Sequence, residues 1–278
     1  MQTEKEYTRT AQAYETCVEA IKKFAQEKGF SDVVIGLSGG LDSALVAALC
    51  VDALGATQVH GVLLPGPYTL DSSQEDAAAL AQNLSISTTI IPISAMCNSF
   101  EEAFAEAQQT LTPLARENVQ ARCRMICLMA LSNTHGWMLM NTSNKSEALV
   151  GYCTLYGDMA GAFAPLGGLY KTEVYELARW RNSIEEAEEY ASLIPLNILE
   201  KAPSAELSAD QTDEASLGIA YSDLDRILIA LVEEEVSVEE VCALGYAEEE
   251  VERVISLIKA SAFKRRLLPP SPAITRGA

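Results

Sequence analysis

The chain has 278 residues, 49% of them hydrophobic and 21% charged, and 39 acidic against 20 basic residues give it a net charge of −19. That composition excludes a disordered chain, and a chain of this length buries a substantial core without disulfide staples. The acidic balance excludes general nucleic-acid binding, which needs a basic face, but it leaves room for an anionic small substrate where the few cations gather.

No stretch approaches the ~20 apolar residues that span a bilayer, and the start MQTEKEYTRTAQAYE lacks a secretory apolar run. A cytoplasmic protein with no membrane partner is expected. The seven cysteines, at 17, 50, 97, 123, 127, 153 and 242, are odd in number and contain no CxxC pair. They read as small buried hydrophobes of a reducing compartment, and His60 and His135 are too few to build a zinc site with them.

In chain order, residues 7, 11, 14, 18, 21 and 25 repeat at spacings of four and three, one face of a helix. Val33 to Leu37 reads as a buried strand, Ser38-Gly39-Gly40 as a turn, and 42–54 as a helix. A strand over 59–64 ends at Pro65, 73–84 reads as a helix, 88–93 as a strand, 114–134 as a long helix and 137–140 as a fourth strand. Strands alternating with helices mean βαβ units and a parallel sheet covered on both faces. Beyond residue 150 the strand signal fades, and 171–181, 222–235 and 237–262 read as helices. The expectation is one domain over 1–278, with an α/β core at about 30–170 and a helical C-terminal extension at about 171–265.

The most informative segment is Gly36-Leu37-Ser38-Gly39-Gly40-Leu41-Asp42-Ser43, at the junction of a strand and a helix. Helix N-terminal N–H groups attract anions there, and adjacent glycines let backbone approach a phosphate closely. Ser38 and Ser43 add hydroxyl donors, and Asp42 adds a carboxylate suited to Mg²⁺ held against phosphate oxygens. The loop is neither a Walker A motif nor GxGxxG. A glycine-rich turn capping a helix is common; the five residues of S-G-G-x-D-S together arise by chance at roughly one in a million per position.

This loop resembles the PP-loop of the N-type ATP pyrophosphatases, which cleave ATP between the α and β phosphates. The resemblance implies the adenine nucleotide alpha-hydrolase-like fold, a doubly wound parallel sheet with ATP at the C-terminal ends of its strands.

Downstream segments narrow the choice. They are Asn118 to Arg124 (NVQARCR), Asn141 to Glu147 (NTSNKSE), Gly151 to Gly161 (GYCTLYGDMAG), Lys171-Thr172, Lys201 to Leu207 (KAPSAEL), Gln211 to Glu214 (QTDE) and Phe263 to Arg266 (FKRR). In this order and spacing they resemble the NAD synthetases over nearly the whole chain. The wording is closer to the synthetase domain of glutamine-dependent enzymes than to stand-alone ammonia-dependent ones. No glutaminase domain is expected, because the phosphate loop begins only 36 residues in.

The resemblance implies an ATP-dependent ligase that adenylates the carboxylate of deamido-NAD, releases pyrophosphate, and lets ammonia displace AMP to give NAD. It implies that Gly36, Leu37, Ser38, Gly39, Gly40, Leu41, Asp42 and Ser43 cradle ATP phosphates, with Thr142, Lys171 and Ser204 as further ATP contacts. On the same resemblance Lys171 would stabilise the departing pyrophosphate, Asp42 with Glu147 would hold Mg²⁺, and Asp158 would orient ammonia or the carboxylate. Arg122, Arg124 and Lys264 are implied as deamido-NAD contacts.

Three positions depart from the stand-alone pattern: Leu155 replaces a lysine, Ala162 an acidic residue and Phe263 a histidine. A homodimer is implied by family analogy, and the ammonia is either free or supplied by a separate glutaminase. Another PP-loop ligase and a catalytically silent nucleotide-binding module are the competing readings; the second would lack Asp42 or Glu147.

Overall fold

The computed structural model describes residues 4–187 and 192–274. Helix α1 (Glu4–Lys28) leads into strand β1 (Val33–Gly36), helix α2 (Leu41–Leu54), strand β2 (Val59–Leu63), helix α3 (Asp71–Asn83) and strand β3 (Ser87–Ile90). Helices α4 (Ser94–Glu106) and α5 (Pro113–His135) precede strand β4 (Met138–Leu139). Short helix α6 (Lys145–Val150) precedes α7 (Lys171–Ala187). The remainder is α8 (Leu196–Glu200), α9 (Asp213–Leu217), α10 (Tyr221–Val232), α11 (Val238–Ala243), α12 (Glu248–Ala260) and α13 (Ala262–Arg265).

The four strands are parallel in the order β3-β2-β1-β4, so the chain winds one way from β1 and then returns to the other side of it. That reversal is a topological switch point, and it opens a crevice at the C-terminal ends of β1 and β4. Strand alternation sends Val33, Ile35, Val59, Leu63 and Met138 to one face, where α1, α2, α3 and α7 cover them. Val34, Val62 and Leu139 go to the other face, under α4 and α5. This is the doubly wound α/β sheet expected from the sequence.

Helix α2 lies between the sheet and α1 and α7, so Ser43 to Cys50 are buried without a break and no amphipathic face is visible. Truncating fully buried Leu45 or Leu49 there would cost ~2–5 kcal/mol. The C-terminal helices α10, α11 and α12 build a separate apolar cluster against Leu149 and Val150 of α6 and Tyr170 before α7.

Several boundaries differ from the sequence reading, each for a local reason. In α1 the buried face runs through Thr10, Tyr14, Cys17, Ile21 and Ala25, with Val18 only half-buried, and the side chain of Tyr7 lies outside the described part. The strand expected at 88–93 is an exposed edge strand ending at Ile90. Helix α4 has no counterpart in the sequence reading, because only Cys97 of its residues is buried. Helix α6 is too short to show a period. The helix expected over 237–262 is three: a Ser237–Glu240 capping box starts α11, Gly245 at φ +106° ends its turn, and Ser261 separates α12 from α13. Among the described residues no helix is long and apolar enough to cross a membrane.

Candidate active site

The phosphate loop is shaped by its own hydroxyls. Ser43 Oγ donates to the Gly40 carbonyl at 3.0 Å and accepts the Ser38 amide at 3.2 Å, and the two serine hydroxyls lie 3.0 Å apart. The Gly40 amide in turn donates to Ser38 Oγ at 3.1 Å. Gly39 has φ +75°, and a Cβ on it would stand 2.1 Å from the Ser73 carbonyl oxygen of α3. The loop therefore needs glycine at 39 both for its backbone conformation and for its closeness to α3. Gly40 supplies no side-chain cap to α2, which leaves the helix N-terminus open toward the crevice.

Asp42 faces a second cluster at the end of β4. Asn144 caps α6 by accepting the Glu147 amide at 3.0 Å, and its Nδ2 donates to Asp42 Oδ1 at 2.9 Å. Lys171, the first residue of α7, is 3% exposed; its Nζ donates to Asp42 Oδ2 and stands 3.7 Å from Glu147 Oε1. Burial opposes the charge on Lys171, but the Asp42 and Glu147 carboxylates outweigh it and hold its pKa above the ordinary range. Burial, with Asp42 adding repulsion, pushes the Glu147 carboxyl up to about 8. A cation thus already sits between two acids that repel each other.

A third carboxylate joins them. Asp213 at the start of α9 accepts from Tyr152 Oη at 3.1 Å and from Tyr221 Oη at 3.4 Å, and Lys171 Nζ lies over the Tyr221 ring, 5.4 Å from its centroid. Burial raises the Asp213 pKa, and Lys171 opposes that rise. The QTDE segment is visible in the sequence, but local pattern alone assigns no role to Asp213, Asn144, Tyr152 or Tyr221. Their signal is tertiary, since Tyr152 and Asp213 are 61 residues apart.

Asp42, Glu147, Lys171, Tyr152 and Asp213 line one cavity of about 570 Å³, together with Thr142, Asp158, Ser204 and Arg124. Asp158 accepts the Thr154 amide at 2.6 Å and its carbonyl accepts Asn141 Nδ2 at 2.7 Å, which ties the 151–158 loop to the end of β4. Ser204 Oγ donates to the Gln211 carbonyl at 2.6 Å and accepts the Glu206 amide at 3.1 Å, so it shapes its own loop. That loop is clasped to α3: Glu206 accepts Ser73 Oγ at 2.5 Å and the Leu70 amide at 3.1 Å, and Lys201 donates to Asp76 at 2.9 Å.

The three cations grouped by the sequence reading go to three places. Arg124 points into the cavity, its Nε donating to the Leu64 carbonyl at 3.1 Å beside β2. Arg122, two residues earlier, leaves α5 on the opposite side; it is exposed, outside the lining, and donates to the Leu155 carbonyl at 3.1 Å. Lys264 Nζ donates to the carbonyls of Gly151 at 2.8 Å and Cys153 at 2.6 Å, and it too lies outside the lining. Phe263 is 58% exposed, and Ala162 packs partly buried against the first core face.

Among the described residues no set of three or more His, Cys, Asp or Glu side chains is arranged to hold a metal ion by itself. Asp42 and Glu147 nevertheless form an all-oxygen pair of the kind Mg²⁺ takes when substrate phosphates and water complete its shell.

A family model described as NAD synthase matches residues 13–268. A glutamine-dependent NAD(+) synthetase of Rhodobacter capsulatus is 45% identical over 268 residues, which is 95% of this chain and 48% of that protein. The chain spans about half the length of the curated relatives it matches. The glutamine-dependent NAD+ synthetase of Acinetobacter baumannii, solved with ADP, is 39% identical at a TM-score of 0.66, covering 97% of this chain and 48% of that one. The NH3-dependent NAD synthetase of Campylobacter jejuni, solved with nitrate, is 30% identical at 0.72, covering 92% and 95%. The NMN synthetase of Francisella tularensis is 29% identical at 0.77, with the same two coverages.

Proposed function

The chain belongs to the NAD synthase family, and on that premise we propose that it uses ATP to amidate the nicotinate carboxylate of deamido-NAD, with ammonia as nitrogen donor. The observation that carries this reading is Lys171, buried between Asp42 and Glu147 at the mouth of the phosphate loop, in one cavity with Asp158.

A carboxylate is a poor electrophile. In the proposed reaction a carboxylate oxygen attacks the α-phosphorus, the bond to the β-phosphate oxygen breaks, and pyrophosphate leaves. Ammonia then attacks the acyl carbon, AMP departs with the carboxylate oxygen, and the nitrogen loses a proton. No protein nucleophile is needed, so the chain acts by positioning and electrostatics.

In this reading Gly36 to Ser43 cradle the phosphates with backbone amides and the α2 N-terminus. Lys171 offers its ammonium to the leaving pyrophosphate, with Thr142 and Ser204 along the ATP path. Asp158, at the cavity rim, orients ammonia or the carboxylate. Asp42 and Glu147 would hold Mg²⁺, which supplies charge neutralisation of the phosphates when bound. Arg124 belongs with the nucleotide by its position; Arg122 and Lys264 belong with the dinucleotide, Lys264 after exchanging backbone carbonyls for ligand.

Residues 1–278 work as one unit in this reading, since α10 and α13 reach back to α6 and its following loop. The exposed Leu114, Ile126 and Met129 on α5, on the helix that carries Arg122, favour a second copy of the chain as partner, and the free cysteines favour a reducing, cytoplasmic setting. Ammonia is preferred over glutamine as direct donor because both histidines stack on Trp137, which leaves the cysteines without an evident base; a separate glutaminase remains the alternative source.

The test is to incubate the protein with ATP, Mg²⁺ and either deamido-NAD or nicotinate mononucleotide, with ammonium or glutamine. NAD, AMP and pyrophosphate from deamido-NAD and ammonium are expected. ADP with orthophosphate would overturn the phosphate-loop assignment, and exclusive use of the mononucleotide would overturn the acceptor.

A further inference from the structure

Lys171 can serve any phosphate chemistry only if the first turn of α7 holds its Cα at a fixed distance from Asp42. The three amides that open that turn are each capped from a different place. The Tyr170 amide donates to Glu173 Oε2 at 2.9 Å, within the helix itself. The Lys171 amide donates to Ser146 Oγ of α6 at 2.9 Å, and the Thr172 amide donates to Asp225 Oδ2 of α10 at 2.7 Å.

Ser146 and Asp225 are not independent. Ser146 Oγ donates its proton to Asp225 Oδ1, which turns a hydroxyl lone pair toward the Lys171 amide. One carboxylate therefore caps Thr172 directly and Lys171 through a shared serine, which joins α6, α7 and α10 at a single point. Asp225 is 1% exposed and Ser146 is fully buried. A negative charge at a helix N-terminus is favourable, and a buried carboxylate that accepts two hydrogen bonds is held in place more firmly than a neutral cap. Ser146 also immediately precedes Glu147, so the same knot fixes the second acid beside Lys171.

We propose that Asp225 is a positioning residue for Lys171: acting through Ser146 and the first turn of α7, it sets the ammonium between Asp42 and Glu147 without touching substrate itself. The C-terminal helical cluster thereby sets the geometry of the phosphate site. The inference rests on the proposed ligase reading for its kinetic arm only.

Asp225→Asn is the informative change. The amide keeps the shape and can still accept the Thr172 N–H, but its NH₂ cannot accept the Ser146 proton, so the serine must turn. The expected result is at least a ten-fold fall in kcat, with KM for ATP within about three-fold of the parent. Ser146→Ala keeps the carboxylate and its bond to Thr172, and serves equally if the asparagine variant does not fold. In a Lys171→Ala background either change should cost far less than it does in the parent, because the ammonium it chiefly positions is gone.

A readout free of any assay is the ¹⁵N signal of the Lys171 ammonium, identified by its absence in Lys171→Ala. It should be sharp in the parent and broadened or shifted in Asp225→Asn. Kinetic effects that persist undiminished in the Lys171→Ala background, or a Lys171 signal indifferent to Asp225→Asn, would overturn the proposal. A parent that makes no NAD but whose Lys171 signal responds would instead overturn the ligase reading and leave this one standing.

Discussion

Two walls, one lining the cavity and one lying beyond its lining, are built in different ways. On the phosphate wall, Gly36 to Ser43 bond to one another, and Asp42, Asn144, Glu147 and Lys171 meet within hydrogen-bond or ion-pair distance. On the acceptor wall, Lys264 is engaged with two backbone carbonyls, Arg122 stands exposed outside the cavity, and Tyr156 is 73% exposed at φ +60°. The first wall is preorganised within one chain, as the proposed phosphoryl chemistry requires. The second is open: Arg122 and Tyr156 are exposed.

The largest effect that could break this contrast is at the preorganised wall. Asp42→Asn keeps the side-chain size but removes a charge that faces both Lys171 and Asn144. A fall in kcat of at least ~100-fold is expected, as when a group aimed at transition-state charge is lost. Far-UV circular dichroism should be unchanged. If the variant keeps most of its activity at saturating Mg²⁺, Asp42 is not part of the phosphate machinery and the wall is merely a folded turn.

Next comes the loop itself. Gly39→Ala forces a Cβ into a left-handed conformation, costing ~1–2 kcal/mol, and onto the Ser73 carbonyl 2.1 Å away. The loop must lift from α3, so KM for ATP should rise about twenty-fold while KM for the acceptor stays within two-fold. Equal changes in both constants would mean that the two walls are mechanically one.

The same contrast explains what the sequence revealed. The SGGLDS loop was legible because all its chemistry is local: six consecutive residues at a strand–helix junction carry both their own hydrogen bonds and the features that suit an anion. The doubly wound sheet was legible because Val33 to Leu37 and Val59 to Leu64 are short apolar runs separated by helical stretches. The acceptor wall was not legible by spacing alone. Lys264 meets Gly151 across 113 residues, and the opposite directions of Arg122 and Arg124 follow from helix geometry only once the buried side of α5 is known. Tyr221 and Asp225 carry no local motif, and QTDE alone gives Asp213 no role; each matters through a partner on another element. The single helix read over 237–262 failed because Gly245 weighed less in the apolar period than it does in the backbone.

At the acceptor wall the expected effect is smaller and falls on a different constant. Arg122→Ala removes an exposed guanidinium that, among the described residues, donates to the Leu155 carbonyl. KM for deamido-NAD should rise about ten-fold, the value of one charge-assisted contact, with KM for ATP unchanged. Lys264→Ala should differ: it frees the Gly151 and Cys153 carbonyls, so the melting temperature should fall as well. An Arg122→Ala variant with unaltered acceptor KM would remove that residue from the dinucleotide site.

The smallest effect sharpens the comparison by pH. Glu147 titrates at about 8 in the folded chain, raised first by burial and then by Asp42, against ~4.5 when exposed. Between those values the folded state holds a proton that the unfolded state has lost, so the folded state binds more protons and stability falls as pH rises. The contribution is fully present below pH ~4.5 and gone above about 8. Glu147→Gln has no such proton to lose, so it should match the parent near pH 5 and exceed it in urea-unfolding stability at pH 8.5 without divalent cation. Mg²⁺ should reverse the order at pH 8.5, because only the parent then offers two carboxylates, and it should do little for either protein at pH 5. If stability shows the same pH dependence in both proteins, or Mg²⁺ stabilises the glutamine variant equally, Glu147 is neither the titrating group nor a metal ligand. The second acid of the phosphate wall would then have to be sought in Asp213.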